Sequence, residues 1–140
     1  MTLKTFVASQ RELCLKQLEE LFLNLDQGIN QDKYIEIQEQ MGQPIEENKM
    51  PLSLDDFPDI VIIAINVFNR LGDRVYPEIG YVGKDFTNLN LYMEIEGVEK
   101  EQKNFFLEIL EWLDARAIKK SAEQLKREYD KMKRKSSGRK

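Results

Sequence analysis

At 140 residues and 41% hydrophobic content, the chain has the length and the apolar material of one domain with a real core, needing neither disulfides nor metals to hold it. It contains no histidine and one cysteine, which excludes Ser/His, Cys/His and zinc arrangements and any internal disulfide. Its charge is uneven: residues 119–140 hold ten Lys/Arg against three Asp/Glu, and the remainder holds 11 against 22, an acidic body with a basic C-terminal end.

The first pattern is helical. Over 5–26, Leu13 or Cys14, Leu18, Leu21, Phe22 and Leu25 recur at three- and four-residue steps, with Ser9 available as an N-cap and Gly28 as a stop. Cys14 lies in this apolar pattern and reads as a buried, inert thiol. The stripe is expected to face the core, with a dimer seam as the alternative. A second, shorter helix is capped by Asn30 or Asp32, carries Tyr34, Ile35, Ile37, Gln38 and Met41, and ends at Gly42 and Pro44. Residues 43–53 have no periodicity and are expected to form a surface linker.

The most apolar stretch is 55–72, DDFPDIVIIAINVFNRLG. Its dense β-branched residues suit a buried strand over 60–65, and three features argue for a helix over 56–71. Asp55 or Asp56 offers an N-cap oxygen, Pro58 fits a first turn, and Gly72 stands where a left-handed cap would. A helix apolar on nearly every side must be buried on nearly every side, so it is expected to be the central one. At roughly 22 Å it is too short to cross a membrane.

Residues 72–85, GDRVYPEIGYVGKD, combine turn residues with Val75, Tyr76, Ile79, Tyr81 and Val82. They are expected to form an irregular packed loop or a short hairpin over 73–85 that packs on the core or on a partner. The Gly83-Lys84 pair is not a phosphate-binding loop. That motif requires Gly where Glu78 stands and Ser/Thr where Asp85 stands. Asp85 is instead expected to cap a helix over 86–96, with Phe86, Leu89, Tyr92 and Met93 inward and Gly97 at its end. Glu94, Glu96, Glu99 and Glu101 cluster around the next turn. They are divalent-cation or acid/base candidates in principle, and with Lys100 and Lys103 beside them they read as a solvated surface.

From residue 100 to Gly138 there is neither Pro nor Gly, so a long C-terminal helix over 100–134 is expected. Phe105, Phe106, Ile109, Leu110, Trp112 and Leu113 make its first half a docking face. In its second half Ile118, Ala122, Leu125, Tyr129 and Met132 narrow to a seam two heptads long. The fold class is therefore mainly α, a compact domain of about five helices over 1–130 with an extended C-terminal helix, followed by a basic tail over 131–140. Tyr76, Tyr81, Lys84, Tyr129 and Met132 are the candidate partner-binding residues. Lys131, Lys133, Arg134, Lys135, Arg139 and Lys140 are candidates for contact with nucleic acid or an acidic surface.

Two segments, FNRLGDRVYPEIGYVGKDFTNL and LEILEWLDARAIKKSAEQLKREYDKMKR, resemble small accessory proteins of large tailed bacteriophages. The resemblance implies a protein of the host cytoplasm or the virion that serves assembly through protein contacts, and it assigns no residue a role. The expected function is that of a non-enzymatic helical adaptor or assembly factor with a protein partner or a second copy. It would use no cofactor, metal, small-molecule substrate or membrane. The alternative is a nucleic-acid-associated accessory tethered by the basic tail, and an Asp/Glu-metal enzyme is the least favoured reading. No secretory signal is read at the start of the chain, so a cytoplasmic location is expected.

Overall fold

A computed structural model describes residues 8–137. Among these residues the chain is mainly helical, with five α-helices and one two-stranded sheet. It divides into two compact units at Ile62/Ile63, inside the third helix.

The first unit opens with α1, Ala8–Asp26, so Ser9 lies within the helix, and residues 5–7 of the expected span fall outside the described chain. Cys14, Leu18 and Leu21 are its buried face, which settles the choice between Leu13 and Cys14 in favour of the cysteine. Burial raises the Cys14 thiol pKa above its ordinary value, as suits an inert core residue. α2, Gln31–Met41, is bounded as its sequence implies. Asn30 Oδ1 accepts from Lys33 N at 2.8 Å, and Gly42 at φ 65° turns the chain while its N–H donates to the last helical carbonyls.

The following linker is pinned down instead of loose. Gln38 Nε2 donates to Pro44 O at 2.9 Å, Gln31 Nε2 to Pro51 O at 3.0 Å, and the Tyr34 hydroxyl lies against Glu46 at 3.3 Å from its N and 3.4 Å from its O. The segment contains a 3-10 turn of its own, Glu47–Lys49, and the amide side chains of α2 supply donors to the carbonyls on either side of it.

The apolar stretch is helical, as α3, Asp59–Arg70. It begins later than 56 because Asp55 and Asp56 belong to a separate 3-10 turn, Leu54–Asp56. That turn is closed by a capping box in which Ser53 Oγ accepts from Asp55 N and Asp56 Oδ2 accepts from Ser53 N at 2.9 Å. Ile60, Val61, Ala64 and Val67 of α3 and the following Leu71 are buried, and Ile62, Ile63, Ile65 and Phe68 are half-buried. Gly72 is not the left-handed cap expected of it: its carbonyl accepts from Asp85 N at 2.8 Å, so it leads directly into a hairpin.

In the second unit, β1 (Asp73–Tyr76) pairs antiparallel with β2 (Gly80–Lys84), the hairpin form of the two expected alternatives. Its register slips by one at Arg74/Val75, where Val82 is the extra residue of a bulge. Asp85 does not cap the next helix; its carboxylate accepts from the N and Oγ1 of Thr87 in a local turn, and these bonds hold its pKa below the usual carboxylate value. The helix itself, α4, is therefore shorter than expected, Leu89–Ile95, and an Arg70–Glu96 ion pair at 3.2 Å links the end of α3 to the end of α4.

A 3-10 turn, Lys100–Gln102, opens α5, Lys103–Ser137, which is 35 residues long and about 52 Å at 1.5 Å per residue. Phe105, Phe106, Ile109, Leu110 and Leu113 are buried, and every residue over 122–136 is exposed. Residues 131–137 continue the helix instead of forming a tail of their own.

One helix thus carries both core and surface positions. Leu110→Ala should cost about 2–5 kcal/mol of folding stability, whereas Leu125→Ala should change it by no more than about 0.5 kcal/mol, as measured by urea denaturation.

Candidate functional site

Where the two halves of α5 join, β2 lies along it and one carboxylate fastens them. Asp114 follows Leu110 by four residues and precedes Ile118 by four, so it sits on the apolar stripe itself. Its Oδ1 accepts from the Tyr81 hydroxyl at 2.7 Å and from the Lys84 backbone N at 3.0 Å. Burial first, then the bond and charge of Asp114, raise the Tyr81 pKa well above its ordinary value.

Between these two residues is Gly83, buried and at φ 126°, a conformation that side chains disfavour. A Cβ added there would stand 3.1 Å from both Arg74 Nη2 and Asp114 Oδ2, so any larger residue would have to displace these two side chains by a few tenths of an ångström as well as hold the unfavourable φ. The Lys84 side chain, 10% exposed, is held on three sides. Its Nζ donates to Leu71 O at 3.2 Å, pairs with Asp73 at 2.6 Å, and lies 4.7 Å from the centroid of the Phe68 ring.

The candidate partner-binding residues therefore separate into two groups. Tyr81 and Lys84 are bonded inward and fix the hairpin, so their polar atoms do not form a contact surface. Tyr76, Tyr129 and Met132 are exposed. On α5 the stripe Leu125, Tyr129 and Met132 is 40%, 66% and 70% exposed, and with Ala122 and Glu78 from the hairpin tip it borders a hollow of about 400 Å3. Val75 and Ile79 of the hairpin are exposed as well, so of the two expected packings these residues do not take the one on the core. β2 packs along α5, whereas every residue of β1 is exposed.

Lys131, Lys133, Arg134 and Lys135 occupy the exposed last turns of α5, while Arg139 and Lys140 lie outside the described residues. Asp114 is the residue that sequence reasoning missed. The available signal was a lone carboxylate on an otherwise apolar stripe, which must be either exposed or bonded.

The acidic turn after α4 gathers no ion site. Glu96 is paired with Arg70, and among the described residues no group of three or more His, Cys, Asp or Glu is placed to hold a metal. Nor is any described helix long and apolar enough to cross a membrane. No family model, curated protein or solved structure matches this chain. A functional reading therefore rests on its own geometry.

The Asp114 clasp makes two predictions. Asp114→Ala strands two donors and should cost about 1–3 kcal/mol, and its effect should combine non-additively with Tyr81→Phe in a double-mutant cycle. Because the folded Tyr81 pKa is raised, its hydroxyl contributes fully below about pH 10, the ordinary tyrosine value, and that contribution fades as pH rises through the folded value. The stability difference between wild type and Tyr81→Phe should accordingly shrink above about pH 10 in urea titrations.

Proposed function

We propose that this protein is a non-enzymatic adaptor or assembly factor that docks a protein partner on the exposed half of α5 beside the hairpin tip. The observation that carries the reading is the Leu125–Tyr129–Met132 stripe. These side chains follow the same three- and four-residue spacing as the buried half of the helix, yet they face solvent. Aromatic and methionine side chains are favoured at the centres of protein interfaces, and apolar anchors at this spacing suit helix-mediated recognition. The clasp at Asp114 supports the reading from the other side, since it holds the hairpin tip at a fixed place beside the stripe. On the resemblance to accessory proteins of tailed phages, the partner would be a component of virion assembly in the host cytoplasm.

A second reading has its own observation. Lys131, Lys133, Arg134 and Lys135 lie together on the exposed end of α5, a charge density suited to phosphates or to an acidic protein surface. Under that reading, replacing these four with Gln should abolish binding to duplex DNA or RNA, and wild-type binding should weaken steeply with salt.

The test of the adaptor reading is photo-crosslinking in cells that make the protein, with benzoylphenylalanine placed at Tyr129 and, as a control, at the exposed Gln40 of α2. A protein adduct is expected from position 129 and none from position 40. Adducts only with nucleic acid, or none at all, would overturn the reading.

A further inference from the structure

Resting on the adaptor reading, we infer that the partner element is an amphipathic helix with acidic residues along one flank. The charges beside the stripe carry this inference. At 100° per residue, Lys119, Lys126 and Lys133 recur every seventh position along one margin of Ala122, Leu125, Tyr129 and Met132. All three are exposed, and none forms an ion pair with another described residue. The opposite margin is mixed, with Ser121, Glu128 and Lys135, and Glu78 stands at the hairpin end of the hollow. An apolar groove with a row of lysines on one side is complementary to a helix that presents leucine-like anchors and carboxylates at the same seven-residue interval.

The same pattern disfavours the other occupants. Two copies of α5 laid antiparallel would set one lysine row against the other, since equivalent flanking positions face each other in that arrangement. Laid parallel, they would bring together two helix segments that each carry eight Lys/Arg and three Asp/Glu over 119–137. A polyphosphate chain would use the lysines and leave Leu125, Tyr129 and Met132 without a role.

The test uses the full chain and three fluorescent probes. One is a synthetic peptide of about three heptads with Leu at the seam and Glu on both flanks, the second is its Lys-flanked counterpart, and the third is a short DNA duplex. Fluorescence anisotropy should show the Glu peptide binding at least about tenfold more tightly than the Lys peptide or the DNA, with the margin narrowing as salt rises. Tyr129→Ser with Met132→Ser should weaken that binding about tenfold or more, and Lys119→Glu with Lys126→Glu and Lys133→Glu should reverse the preference between the peptides. Every altered position is exposed, so the variants should remain folded, which circular dichroism checks.

Equal binding of the two peptides, binding of the Glu peptide unaffected by the lysine reversals, or preference for DNA would overturn the inference. So would a wild-type dimer that Tyr129→Ser with Met132→Ser dissociates. If position 129 crosslinks to a protein while the peptides bind alike, the adaptor reading stands and only this partner chemistry falls.

Discussion

The hydrogen bonds that Asp114 accepts from Tyr81 and from the Lys84 backbone are the constraint on which the rest of the second unit depends. A two-stranded hairpin is not stable by itself in water and needs a surface to lie on. Here that surface is α5, and the fit has three elements: a carboxylate on the apolar stripe, a phenol that reaches it, and a glycine that lets the strand approach. Lys84 adds a second clasp at the base of the hairpin, joining its two strands and the end of α3 through Asp73, Leu71 and Phe68. The bonds that hold the hairpin also mark where α5 changes character, from buried at Leu113 to exposed at Ala122.

Beyond that point the helix persists without packing. Its sequence explains how: residues 119–135 are dominated by Lys, Arg, Glu, Gln, Ala and Leu, all strong helix formers, with no Gly or Pro. Nucleation, the costly step, is already met by the buried first half, and extension adds one hydrogen bond per residue fixed. Arg134 and Lys135 in the last turn complement the helix dipole. A rigid rod carrying an uncovered apolar stripe and a row of lysines is therefore compatible with the folded chain, and in our reading it is the part of the molecule that meets others.

Much of the fold was legible because its determinants are local. The spacing of Cys14, Leu18 and Leu21, the Asn30 cap, Gly42, and the uninterrupted run after residue 100 each specify an element through its own residues. The helix at 59–70 could be chosen over a strand because Pro58 and the acidic residues before it mark a helix start. The first residue of that helix was misplaced because Asp56 is engaged three residues back, with Ser53, a choice that two adjacent aspartates leave open. Gly72 and Asp85 were misassigned for a related reason. Gly72 instead pairs its carbonyl with Asp85 N, thirteen residues on, and the Asp85 carboxylate closes a different local motif, the turn on Thr87.

The candidate site was less legible, because it is made by contacts distant in sequence. Tyr81 and Lys84 look like surface residues in a glycine-rich loop until Asp114, about thirty residues away, supplies the partner that holds them. Tyr129 and Met132 could be named from the heptad pattern, though nothing in that pattern says whether a seam is covered.

The account's central claim is that α5 is covered over its first half and bare over its second, with the change falling between Asp114 and Ala122. Hydrogen–deuterium exchange of the isolated chain, followed amide by amide along the helix, tests it directly. Amides over 105–113 should exchange slowest, with protection falling by orders of magnitude beyond Ala122. Protection continuing undiminished through Met132 would mean that the stripe is already occupied, and would contradict the claim.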